Sequence, residues 1–142
     1  MRDRKLEKQL EEKRALLREK GVVLTTPRLI ILEYLFENPI HPTAEEIYNS
    51  LKRRFPSISQ ASIYNTLKLF TKLGVVTELM IEKEKARYDI NTTPHAHFKC
   101  IKCGRIYDVF EVPLPQREEI SGHKVLTTQL YFYGICQKCV QS

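Results

Sequence analysis

The sequence lacks any apolar run approaching the roughly 20 residues that a membrane helix needs, which excludes an integral helical membrane protein. It also lacks an apolar leader core: the first residues, Met1-Arg2-Asp3-Arg4-Lys5, open a charged stretch, and a cytoplasmic protein is expected. Glycine is scarce, with 5 in 142 residues, and no glycine-rich loop stands where a phosphate could be cradled. No Glu or His is evidently placed as a general base, so the chain is not expected to be an enzyme, a metallohydrolase included. Cysteine is missing from the first 99 residues. Low-complexity linkers are missing altogether.

What is present is a composition ordinary for a globular protein, 42% hydrophobic and 28% charged, with room for one medium domain or two small ones. The net charge of +6 is unevenly spread: residues 1–73 hold 14 Lys/Arg against 9 Asp/Glu. A polyanionic partner would meet the first half of the chain.

Periodicity divides the chain into helical and strand-like parts. Residues 3–20 predict a lightly packed helix with Leu6, Leu10 and Leu17 on one side, stopped at Gly21. Thr26 as a cap and Pro27 behind it predict an apolar helix to Glu37. Thr43 and Glu46 form a capping box before Ile47, Tyr48 and Leu51. Ser59 caps a further helix whose inward face is Ile63, Leu67, Phe70 and Leu73. Strands are expected over Val75–Met80 and Arg87–Ile90, around Phe98 and Ile106-Tyr107, and over Lys124–Tyr133, with a helical piece near Gln116–Ile120. The implied fold is α+β: a winged helix-turn-helix DNA-binding domain over residues 1–90 and a small α/β dimerisation domain over 91–142.

In a helix-turn-helix the second helix enters the major groove. With Ile63 and Leu67 inward, Ser62, Tyr64, Asn65 and Lys68 are the outward candidates, and Asn65 could pair with adenine. Arg28 and the Arg53-Arg54 pair suit phosphate contacts. Helix order alone leaves a protein-binding winged helix, a module with no effector, as an open alternative.

Cys100-x-x-Cys103 and Cys136-x-x-Cys139 present four thiolates at the spacing of a tetrahedral structural Zn²⁺ site. In a reducing compartment the pairs are poor disulfides, although a redox pair or idle buried cysteines use the same letters. A second constellation consists of His41, Asp89, His95, His97 and Asp108. His95 and His97 fall on one side of an extended strand, and mixed nitrogen and oxygen ligands suit Fe²⁺, Mn²⁺ or Zn²⁺. Such a site would bridge the two domains. Taken singly, these residues read more readily as a loop histidine (His41), a turn residue (Asp89) or a strand-end surface charge (Asp108).

The segments Leu24-Thr-Thr-Pro-Arg28, Ser59-Gln-Ala-Ser-Ile-Tyr-Asn-Thr-Leu67, His95-Ala-His-Phe-Lys-Cys-Ile-Lys-Cys-Gly104 and Tyr133-Gly-Ile-Cys-Gln-Lys-Cys139 resemble the ferric uptake regulator (Fur) family. The likeness runs over roughly residues 5–140 and is strongest to the peroxide-sensing, PerR-type branch. It implies that His41, Asp89, His95, His97 and Asp108 are the regulatory metal ligands, with Asp108 where iron-sensing members commonly carry Glu. It further implies a homodimer that binds a palindromic double-stranded DNA operator when Fe²⁺ or Mn²⁺ is bound. Peroxide would then oxidise His41 or His95 and end repression. A metal-uptake regulator sensing iron, manganese or zinc is the neighbouring reading within the family. Thr128 stands where many members have a histidine of an accessory metal site, and His123 is out of register with it.

Overall fold

The computed structural model describes residues 3–142; Met1 and Arg2, the start of the charged N-terminal run, lie outside the described residues. Two compact units follow one another along the chain, residues 1–92 and 93–142.

The first unit opens with α1 (Arg4–Glu19), α2 (Thr26–Glu37), α3 (Ala44–Leu51) and α4 (Gln60–Lys72). Local chemistry sets their starts. The Asp3, Thr43 and Ser59 side chains accept from the backbone N–H three residues on, in each case satisfying a donor the helix cannot use itself. α2 starts one residue earlier than expected: Thr25, not Thr26, is its extended cap residue, and its side chain makes no capping bond. Pro27 still falls in the first turn, where a missing N–H costs nothing. α1 is also better anchored than its narrow stripe suggests. Leu10 and Leu17, two turns apart on one face, are wholly buried, and Arg14 pairs with Glu33 of α2 at 3.2 Å.

α4 ends in a Schellman motif. Gly74 adopts φ +74°, the Val75 N–H donates to the Phe70 carbonyl at 2.9 Å, and the Gly74 N–H donates to Thr71 at 3.1 Å. The Val75 amide is thus committed to the helix end, which is why the following strand begins later than its apolar letters predict. That strand, β1 (Thr77–Leu79), pairs antiparallel with β2 (Arg87–Asp89) to form the wing. A single bridge from Thr43 to Arg87, with the Tyr88 N–H donating to the Pro42 carbonyl at 3.0 Å, lays residues 42–43 beside β2 as a rudimentary third strand. Ile31, Leu32, Leu35, Ile47, Ile63, Leu67, Phe70 and Val75 form the core beneath.

In the second unit β3 (Ala96–Cys100) is the central strand, antiparallel to β4 (Ile106–Val109) and parallel to β7 (Tyr131–Gly134). A separate hairpin joins β5 (Glu119–Ile120) to β6 (His123–Lys124), and α5 (Gln137–Val140) closes the chain. The helical piece expected near Gln116–Ile120 is not formed. Ser121 and Gly122 both have positive φ, 52° and 83°, the backbone of a tight two-residue hairpin turn, so Glu119 and Ile120 pair across it as a strand. The single strand expected over Lys124–Tyr133 is likewise broken. β6 is no longer than its two-residue partner, and pairing resumes only at Tyr131, where β3 supplies a neighbour. Strand propensity without a partner does not make a ladder.

Candidate metal centres and nucleic-acid interface

The pleat of β3 separates two chemistries. Odd positions along it carry His97, opposite Asp108 of β4, while even positions carry Phe98 and Cys100. His95, just before the strand, keeps the odd-numbered side.

On the even face, Cys100, Cys103, Cys136 and Cys139 bring their sulfurs within 4.8 Å of one another. Cys103 Sγ and Cys136 Sγ are 3.8 Å apart. A tetrahedral zinc with Zn–S bonds of about 2.3 Å requires S···S edges of about 3.8 Å. Gly104, at φ +81°, makes the turn after the first pair, and its N–H donates to the Cys100 carbonyl at 2.9 Å. Electrostatics favour anionic sulfur here. Burial pushes the Cys100 thiol up, but backbone N–H groups of Cys103, Cys136 and Lys102 and the Cys103 side chain outweigh it and bring it down to about 6. Cys139 moves the other way, up to about 12, because it hydrogen-bonds to Cys136, is desolvated and faces the remaining thiols. Four sulfurs this close do not all ionise without a cation among them. The donor set and its spacing fit Zn²⁺.

On the odd face, His95 Nε2 lies 2.9 Å and His97 Nε2 3.4 Å from the same Asp108 Oδ1. The rings are 4.4 Å apart, and both are buried. His95 Nδ1 is 2.6 Å from the Thr93 carbonyl, which can only accept, so that nitrogen carries the proton. In the neutral ring, Nε2 then turns a lone pair toward a carboxylate oxygen, an arrangement that calls for a proton or a cation between them. Phe110 stacks on His95 with centroids 4.8 Å apart.

The first unit holds a pair of the same kind. His41 Nε2 is 3.5 Å from Asp89 Oδ2, and both residues are buried. They meet because the Thr43–Arg87 bridge runs antiparallel, which puts position 41 opposite position 89. His41 stands in the left-handed region, φ +57°, unusual for a residue with a Cβ.

On α4, Tyr64, Asn65 and Lys68 are exposed along one face, while Ile63, Thr66 and Leu67 are buried on the other. Ser62 is half-buried, and its hydroxyl accepts from Ser59 at 3.0 Å as part of the helix cap. The Arg28 guanidinium, half-buried, donates to the Val23 carbonyl at 2.7 Å. Arg53 and Arg54 are exposed after α3.

A model of the ferric uptake regulator family matches residues 19–133. The chain belongs to that family. It is 40% identical over 138 residues to the peroxide-responsive repressor PerR of Staphylococcus epidermidis, covering 94% of this chain and 92% of that protein. Among solved structures it is similar to PerR of Streptococcus pyogenes, at 33% identity and a TM-score of 0.55 with 92% of each chain covered. It also shares its fold with Fur of Helicobacter pylori, at 24% identity and a TM-score of 0.69, with 96% of this chain and 95% of that one covered.

Two features of this Fur-family chain escape motif reading. Arg87 and Glu82 read as ordinary wing residues, yet the Arg87 guanidinium reaches the His41 carbonyl at 2.9 Å and Glu82. The available signal was Arg87's position two residues before Asp89 on the same strand, hence on the same face. Phe110 was equally silent, since nothing in its spacing marks a ring stacked on a histidine. Thr128 and His123 are both exposed.

Proposed function

We propose that the chain is a metal-dependent, peroxide-responsive transcriptional repressor that acts as a cytoplasmic homodimer on a palindromic DNA operator. The observation that carries this reading is the repeated imidazole–carboxylate motif, His41 with Asp89 in one unit and His95 and His97 with Asp108 in the other. These five residues offer the mixed nitrogen and oxygen donors that Fe²⁺ or Mn²⁺ would take, and Zn²⁺ on the four cysteines would be structural, with no open coordination position. Family membership and relatives named as peroxide-responsive repressors support it.

The first unit serves as the DNA reader. Tyr64, Asn65 and Lys68 meet the major groove and Ser62 holds the helix start, while Arg28, Arg53 and Arg54 lie nearer the backbone phosphates. The second unit serves for dimerisation. It exposes Ile101, Phe110, Leu126 and Val140, apolar surface that a second copy would cover. No helix among the described residues is long and apolar enough to cross a membrane.

When bound, Fe²⁺ would supply the one-electron chemistry that splits hydrogen peroxide beside the imidazole rings; overall, one peroxide oxygen is added to a ring, which is oxidised by two electrons, and the other leaves as water. The residues do the rest. His41 and His95 present oxidisable rings, Asp89, His97 and Asp108 keep the ion in place, and loss of one ligand frees the reader from its DNA-competent arrangement. The chain works as a regulator, with its own side chain rather than a substrate consumed.

The test is peptide mass spectrometry of the Fe²⁺ form after hydrogen peroxide, with the Mn²⁺ form as control. One added oxygen on His41 or His95 in the iron form alone is expected. Unmodified histidines in both forms would leave a metal-uptake regulator without peroxide chemistry. DNA binding indifferent to added Mn²⁺ would instead leave a zinc-containing winged-helix interaction module.

A further inference from the structure

We propose that Arg87 is a positioning residue for the regulatory metal: its guanidinium, anchored on the wing, clamps the left-handed peptide of His41 so that the imidazole faces Asp89. The inference rests on the regulatory-site reading above and adds to it a residue that touches no ion.

The geometry is local and specific. Arg87 Nη1 donates to the His41 carbonyl at 2.9 Å and to Glu46 Oε1 at 3.3 Å, and Arg87 Nε donates to Glu82 Oε1 at 2.5 Å. One side chain, 13% exposed, therefore links the α3 N-terminus, the turn of the wing and the residue before Pro42. Glu46 is the residue whose N–H is capped by Thr43. In an ordinary capping box its carboxylate would reach back to the cap residue's N–H, whereas here Glu46 Oε1 accepts from Arg87. The backbone of Arg87 is engaged as well, bridged to Thr43. Residues 41–43 are thus fixed to β2 through both main chain and side chain, and β2 carries Asp89 two residues further on.

His41 needs such a clamp. A histidine at φ +57° occupies a conformation that L-residues enter only when their surroundings hold them there. Pro42 fixes the next φ but does not choose the orientation of the 41–42 peptide. The charge-assisted bond from Arg87 to the His41 carbonyl makes that choice, and with it the direction of the imidazole. A planar guanidinium can serve the carbonyl and both carboxylates at once, which an ammonium cannot match.

Electrostatics give the inference a sign. Taking a positive charge away from the neighbourhood of a divalent cation should, by Coulomb's law alone, tighten binding of that cation. A positioning role demands the reverse.

The experiment is Mn²⁺ titration, by calorimetry and by electron paramagnetic resonance, of the zinc-loaded full-length dimer without oxygen. It compares Arg87→Met, Arg87→Lys, Glu82→Gln and His41→Ala with the unaltered protein. Zinc content and melting temperature are recorded for each. Arg87→Met is expected to weaken Mn²⁺ affinity about 10- to 100-fold, the usual consequence of removing an outer support of a metal ligand. Arg87→Lys should recover part of the loss, and Glu82→Gln should cost less than Arg87→Met, all at unchanged zinc content. Should Arg87→Met fail to fold, Arg87→Lys decides the matter, since it keeps the charge and loses only the planar fork. Affinity equal to or tighter than that of the unaltered protein in the folded Arg87 and Glu82 variants, with His41→Ala losing Mn²⁺, overturns the clamp and keeps the metal site. Mn²⁺ affinity retained in His41→Ala overturns the metal site itself.

Discussion

The two units solve the problem of staying folded in different ways. Residues 1–92 enclose a continuous core of leucine, isoleucine, valine and phenylalanine drawn from four helices and the wing. Among the described residues of the second unit, the buried apolar side chains are Ala96, Cys100 and Cys136. Several of its large apolar residues are exposed, Leu126 to 84% and Phe110 to 64%, and others such as Phe98, Ile106 and Leu130 are only half-buried. A segment of some fifty residues with so little interior is below the size at which apolar burial alone holds a fold. A cysteine cluster that fits zinc supplies the cross-link that its interior lacks. The first unit is held by its core; the second is assembled around a metal site.

The sharpest way to break this contrast is to remove the zinc ligand Cys100. Cys100→Ser, or exhaustive chelation, should unfold the second unit, since structural zinc contributes on the order of 10 kcal/mol in small sites. Circular dichroism should then retain the helical signal of α1–α4 while the dimer is lost in ultracentrifugation. A zinc-free protein that remains a folded dimer would contradict the assembled character of that unit. The converse experiment is Leu32→Ala in α2. Truncating a wholly buried leucine should cost about 2–5 kcal/mol, lowering the melting temperature of the first unit while bound zinc, measured by metal analysis, stays at its original level. Leu126→Ser should weaken self-association by about 1.5–3 kcal/mol, the worth of burying one such side chain, without shifting the unfolding of a dilute monomer. A change in monomer stability of that size would place Leu126 in an interior instead. The smallest expected effect is at a helix end: Ser59→Ala removes the acceptor for the Ser62 N–H, 3.0 Å away, and should lower first-unit stability by about 1 kcal/mol. Chemical denaturation resolves a change of that size.

The same contrast explains what was legible in the letters. In the first unit, the starts of α3 and α4 are written as Thr43 and Ser59, and inward faces as regularly spaced Ile and Leu, because local capping and helical period decide the outcome there. In the second, the cysteine spacing announces a cluster, since each pair must turn both sulfurs to one point. The path between the pairs is poorly announced. The Glu119–Lys124 hairpin depends on two consecutive left-handed residues, Ser121 and Gly122, and the break after Lys124 depends on where β3 begins, a fact located more than twenty residues away. Of the ligand candidates, His95 and His97 could be paired by strand alternation. That His41 would face Asp89 could not be read, because their meeting depends on a bridge between Thr43 and Arg87 and on a backbone conformation at position 41 that histidine seldom adopts.

The alternation along β3 carries a constraint on how this chain can change. His97 and Cys100 are three positions apart, so they project through opposite sides of one sheet. Inserting or deleting a single residue between them would send every subsequent side chain through the wrong side, and both clusters would be spoiled together. Length here can drift only in even steps, whereas the identity of any one residue on either side can be edited without disturbing the other.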